Sequence, residues 1–183
     1  PRLVVHYANK NGFPGAGKFL DSYQKDNNTD FHTMVSEIAD IPRKQAKTIN
    51  LGLFYGMGKG KLMSELGVNI EEATELLQSY HERVPFVKKL TYDTQGIASK
   101  NGFLTTIQGR RCRFDLWESE LEWGKKALPE EEAEREYGKK TIKRAWTYKA
   151  LNKLIQGSAA DQIKTAMVHL HREGYTSHIQ VHD

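Results

Sequence analysis

The chain has 183 residues, 38% hydrophobic and 27% charged, with 27 Lys+Arg against 23 Asp+Glu and a net charge of +4. That balance describes a globular chain with enough apolar material for a core and excludes a disordered one. No apolar run approaches the ~18–20 residues of a membrane span, so no membrane partner is expected.

The N-terminal run Leu3 to Ala8 is apolar but too short to separate helix from strand. The opening residues carry no basic leader or cleavage site, and the single Cys112 cannot form an internal disulfide. The lone cysteine suits a reducing cytosol. Gly12, Pro14, Gly15 and Gly17 predict a loop. Thr29 or Asp30 can cap a helix in which Phe31, Val35 and Ile38 share a face. Pro42 precedes a helix from Arg43 to about Tyr55, and the glycine-rich run Gly56 to Gly60 comes after it.

A helix over KLMSELG comes next, and Asn69 caps another that breaks near Pro85. Phe86 to about Lys100 is again helical, stopped by Asn101-Gly102. FLTTIQGRRCRF alternates around Gly109 and predicts a β-hairpin turning at Gln108-Gly109. Residues 115–140 hold Trp117, Leu121, Trp123 and an acidic run that reads as a solvated helix face. A long helical pattern from about Lys140 to Arg172, interrupted near Gly157, leads to an alternating Ser177–Asp183 that predicts a strand. The fold class is mainly α with a small β component (α+β).

Two segments carry chemistry. Gly12 to Lys18 satisfies G-x-x-x-x-G-K, the loop whose backbone N–H groups and Lys cradle phosphates. Phe19 stands where a Ser or Thr would bind Mg²⁺, and Pro14 removes a donor, so a plain surface turn is the favoured reading. The second segment is the helix from Arg43. Arg43, Lys47, Leu51 and Tyr55 are spaced by four, and each step advances only ~40° around the axis. They form one stripe, cationic and then apolar and aromatic, along which a triphosphate, its sugar and a base could lie. Spacing alone leaves a solvated basic helix equally open. Ala46, Ile49, Asn50 and Leu53 form the face suited to packing.

The segment Arg43 to Gly56 resembles motif B of the A-family DNA polymerases, R-x3-K-x7-Y-G on the O helix of the fingers. Other segments resemble the family in the same order. Pro1 to Tyr7 is similar to the segment directly after the catalytic Asp of motif A, and Thr29-Asp30-Phe31-His32 to the D-x-H step. Gln156 to Asp161 resembles the Q-G-T-A-A-D helix, and Gln180 to Asp183 the start of motif C. The likeness implies the fingers and partial palm of a right-hand polymerase. Residues 1–28 would be palm leading to the fingers, 29–115 the fingers, 116–145 an acidic insertion, and 146–183 palm ending in motif C.

The resemblance implies roles residue by residue. His32, Arg43 and Lys47 would contact the triphosphate of an incoming dNTP, and cations suit that place because transfer is helped by neutralising the phosphates. Leu51, where most members have Phe or Tyr, would lie beside the sugar, and Tyr55 near the templating base. Asn152 and Gln156 would touch the minor groove, whose acceptors are common to all correct base pairs. Tyr148 stands where the family often has Arg. Arg110 and Arg111 match a G-R-R segment and would face the DNA backbone. His182 would neighbour the primer end, and Asp183 would be one of two metal carboxylates, with two Mg²⁺ ions assisting the transfer.

The expected function is therefore template-directed DNA synthesis on a primer-template by a longer parent enzyme, the 183 residues alone being inactive. The expected location is cytoplasmic, that of the host if the parent is phage-encoded. A single-subunit RNA polymerase shares the Arg, Lys and Tyr spacing, and no residue present settles the choice of sugar. A P-loop NTPase built on Gly12 to Lys18 is a further alternative, and a basic helical module that only binds nucleic acid another. Nothing in the chain identifies a processivity factor.

Overall fold

The computed structural model describes residues 1–122 and 124–181. Nine α-helices and five short strands succeed one another among them. Leu3 to Ala8 resolves as helix α1 (Arg2–Lys10), with Val4, Val5, Tyr7 and Ala8 buried. Helix α2 (Ala16–Lys25) buries Phe19, and α3 (Phe31–Ala39) begins at Asp30, whose carboxylate accepts from the His32 amide at 2.9 Å. Such a cap satisfies one of the orphan N–H groups and contributes about 1 kcal/mol.

Helix α4 (Arg43–Phe54) buries Ala46, Ile49 and Asn50, the face its sequence assigned to packing. Helices α5 (Lys59–Leu66) and α6 (Ile70–Arg83) come next, and α6 opens with a reciprocal capping box between Asn69 and Glu72. Pro85 opens α7 (Pro85–Asn101), which ends at Gly102 in a left-handed conformation. The aromatic rings of Phe19, Phe31, Phe54 and Phe86 join α2, α3, α4 and α7, with centroids 5.1 Å apart for Phe19–Phe31 and 5.2 Å for Phe19–Phe86. Each ring is buried, which is worth roughly 1.5–3 kcal/mol. The core therefore holds the base of α4 against three other helices.

Strands β1 (Phe103–Thr105) and β2 (Arg111–Arg113) form the expected hairpin, Leu104 opposite Cys112. Residues 116–144 fold into more than an acidic helix. Strands β3 (Leu116–Ser119), β4 (Leu128–Pro129) and β5 (Ile142–Arg144) make an antiparallel sheet in the order β4-β3-β5, with α8 (Glu130–Tyr137) between β4 and β5 in sequence.

Two expectations change here. The helical pattern from about Lys140 starts instead at α9 (Ala150–Arg172), because Trp117 pairs with Arg144 across the sheet and Arg144 stacks over the Trp117 ring at 4.6 Å. Long-range pairing overrides the local helical pattern. Gly157 does not interrupt α9. A Cβ there would lie 3.1 Å from Arg110, Cys112 and Thr106, so the glycine lets the hairpin approach the helix closely.

Ser177 to Val181 is not a strand, and Ile179 and Val181 are 82% and 71% exposed. Neither small sheet pairs with it, and a lone strand has no partner for its backbone groups. The mainly α, small β class holds. No described helix is long and apolar enough to cross a membrane.

Candidate nucleotide and DNA site

The Arg43 stripe lies on the side of α4 away from its buried face. Lys47 is exposed, Leu51 half-buried and Tyr55 exposed. Leu51 and Tyr55 meet Asn152 and Gln156 of α9 in one crevice of about 540 Å³, which Arg2, Asp30 and Phe31 also line. Two helices a hundred residues apart thus supply an apolar wall, an aromatic ring and two amides to one space. Gln156 Nε2 donates to the Tyr55 hydroxyl at 3.2 Å across it. A planar aromatic ligand with polar edges suits such a lining.

Asp30 stands at the edge of this crevice and holds Arg43. Arg43 Nε donates to Asp30 Oδ2 at 2.8 Å and to Thr33 Oγ1 at 3.2 Å, and its Nη2 also reaches Asp30. Burial pushes the Asp30 carboxyl up, but the Arg43 hydrogen bond, the His32 amide and the Thr33 hydroxyl outweigh it and hold the group at about 2. Arg43 is thus partly engaged, and a phosphate would compete with Asp30 for it. Among the described residues no carboxylate pairs with Lys47.

His32 sits behind them on α3. Its Nδ1 is 2.9 Å from Asn50 Nδ2, and burial lowers its pKa, with Asp30 opposing and Arg43 and Lys47 adding to the fall. The imidazole therefore lies within the field of the two cations expected to meet phosphate.

The two hairpin arginines make different contacts within the chain. Arg110 Nε donates to Asp161 Oδ1 at 2.7 Å and its Nη2 to the Gly157 carbonyl at 2.9 Å. Thr106 donates its hydroxyl to the same carboxylate at 2.5 Å. The Thr106 and Arg110 hydrogen bonds lower the Asp161 pKa against its burial. Arg110 thus ties the hairpin to α9, while exposed Arg111 lies over the Phe103 ring at 4.6 Å. Tyr148 packs on the end of α4, its carbonyl 2.7 Å from where a Gly56 Cβ would stand.

The Gly12–Lys18 segment does not form a phosphate cradle. That cradle comes after a strand, whereas here the segment links α1 to α2 and buries Phe13 and Phe19 on either side of an exposed Lys18. His182 and Asp183 lie outside the described residues. Among those described, no three His, Cys, Asp or Glu side chains come together as metal donors.

Sequence reasoning placed Asn50 on the packing face and missed its bond to His32. The signal was present: an amide at a position flanked by buried Ala46 and Ile49 must find polar partners.

Comparison with known proteins shows the family. The family model described as DNA polymerase family A matches residues 4–183. A DNA-directed DNA polymerase of Pseudomonas phage M6 is 34% identical over the whole chain and 30% of its own length. DNA polymerase I of Pseudomonas aeruginosa is 30% identical over the whole chain and 19% of its own. Among solved structures, the POL domain of Pol1 from M. smegmatis, in complex with DNA primer-template and dNTP, superposes with a TM-score of 0.60 at 29% identity. That match covers 81% of this chain and 24% of the other. The chain thus spans less than a third of the length of each of these relatives.

Proposed function

Because this chain belongs to DNA polymerase family A, we propose that it supplies the nucleotide-binding helix and the primer-side contacts of a template-directed DNA polymerase. The observation that carries this is the meeting of Leu51 and Tyr55 with Asn152 and Gln156 in one crevice. Residues 29–115 are read as fingers, 1–28 and 146–183 as palm segments, and 116–145 as the connection. The parent enzyme would work in the cytoplasm, on primer-template DNA and dNTP.

In this reading the triphosphate lies along Arg43, Lys47 and His32, its sugar against Leu51 and its base toward Tyr55. The primer 3′-oxygen attacks the α-phosphorus, the α–β bond breaks, and pyrophosphate leaves. Arg43 and Lys47 neutralise the charge that gathers on the leaving group. Asn152 and Gln156 take the minor-groove edge of the terminal base pair, where a correct pair of any sequence offers acceptors. Arg111 is free to approach the DNA backbone, and Arg110 contributes by fixing the hairpin to α9. Mg²⁺, held by Asp183 and a further carboxylate of the parent enzyme, would supply the acidity that activates the 3′-hydroxyl. His182 would lie beside it at the primer end.

Primer extension by a longer polymerase carrying this chain tests the reading. Lys47→Ala is expected to lower dNTP incorporation efficiency roughly 10–100-fold, as the loss of one charge-assisted phosphate contact implies. Lys18→Ala is expected to leave it unchanged. Loss with Lys18→Ala and none with Lys47→Ala would move the nucleotide site to the Gly12 loop and overturn the reading.

A further inference from the structure

We propose that Asn50, itself oriented by Tyr80, is a positioning residue that fixes His32 as the tautomer carrying its proton on Nε2, so that an N–H is left to donate to a phosphate oxygen. Asn50 and Tyr80 are both fully buried. The Tyr80 hydroxyl donates to Asn50 Oδ1, and Asn50 Nδ2 lies 2.9 Å from His32 Nδ1.

Proton counting gives this chain its direction. A buried hydroxyl has one proton that must find an acceptor, and among the described residues Asn50 is the hydrogen-bond partner of Tyr80. Burial raises the Tyr80 pKa, which keeps that proton in place. The amide must therefore turn its oxygen to Tyr80, and only its NH₂ remains for His32. Reversing the amide would strand the Tyr80 proton in the core, which is costly. Facing a donor, Nδ1 must be the bare nitrogen, and a neutral imidazole then holds its hydrogen on Nε2. Neutrality is favoured by burial and by the nearby Arg43 and Lys47, against the opposing Asp30 carboxylate.

The role of the Nε2–H toward phosphate rests on the polymerase reading, whereas the tautomer does not. Heteronuclear NMR of the imidazole nitrogens in the 183-residue protein, at about pH 8 where His is neutral, reads the tautomer directly. The unsubstituted protein is expected to show His32 as a single Nε2–H form. Tyr80→Phe is expected to give a mixture of tautomers, because the amide is then free to turn. Asn50→Asp, whose carboxylate can only accept, is expected to switch His32 to Nδ1–H. An Nδ1–H form in the unsubstituted protein overturns the proposal with no variant needed. So does a Tyr80→Phe spectrum identical to the parent's. Adding tripolyphosphate separates the two readings. An Nε2–H form whose resonances do not move with the anion upholds the fixed tautomer and overturns its role toward phosphate. An Nε2–H form that shifts supports both.

Discussion

The Gln156 amide donates to the Tyr55 hydroxyl at 3.2 Å, joining the end of α4 to α9 across 101 residues of chain. Both groups are expected to meet DNA, and without DNA each serves the other. The bond is exposed and neutral, so its net worth is about 0.5–1 kcal/mol. A double-mutant cycle of Tyr55→Phe and Gln156→Ala, read by urea unfolding, is expected to give a coupling of that size. A coupling near zero would mean that the contact does not hold α4 to α9 in solution.

The Asp30–Arg43 pair makes a prediction about acid. The Asp30 carboxyl is held at about 2, below its ordinary 3.8. A carboxylate depressed in the folded state stabilises it above the unfolded pKa, and the gain is lost as pH falls through the folded value. The contribution is therefore complete above about pH 5 and gone near pH 1. Both side chains are partly exposed, so screening keeps it to roughly 1 kcal/mol or less. Arg43→Ala is expected to return the Asp30 pKa toward its ordinary value, read by NMR titration. An unchanged Asp30 titration would show that Arg43 does not hold it.

Gly56 predicts a site intolerant of any side chain. Its φ is +68°, in the left-handed region, and a Cβ would stand 2.7 Å from the Tyr148 carbonyl oxygen. The backbone conformation alone costs an alanine about 1–2 kcal/mol, and the contact adds to it. Gly56→Ala is expected to lower stability by at least that much in urea unfolding. Gly67→Ala, with the same φ of +68° and nothing within 4 Å of its Cβ, is the matched control and is expected to show the backbone cost alone.

How much of this was legible in the sequence depends on how local its cause is. The caps at Asp30 and Asn69, the stop at Gly102 and the hairpin around Gly109 are decided by a few adjacent residues, and all were readable. The stripe from Arg43 to Tyr55 was readable because helical geometry fixes it. Strand β5 was not, since its reason for being extended is Trp117, far away in sequence. Gly157 was misread for the same cause: glycine is a poor helix former, but the hairpin behind it needs the space. Within the candidate site the stripe was visible, and the groups that restrain it were not. Asp30 on Arg43 and Asn50 on His32 are contacts between helices, which no periodicity encodes.

Leu51 carries the last prediction. It lines the crevice beside Tyr55, half-buried, at the position where the motif B resemblance leads one to expect Phe or Tyr. An aliphatic chain keeps the apolar contact expected for the sugar and removes the ring, so less rigid surface bears on that sugar. The discrimination between a deoxyribose and its 3′-deoxy analogue is a difference of transition-state contacts, which a change of wall alters. Leu51→Phe is therefore expected to change the ratio of dideoxynucleotide to deoxynucleotide incorporation in the full-length enzyme, by several-fold if about 1 kcal/mol of contact is at stake. Fold stability should alter by less than about 1.5 kcal/mol, since the residue is half-exposed to the crevice and the swap is apolar for apolar. An unchanged incorporation ratio, with the variant folded, would place the sugar elsewhere than against Leu51.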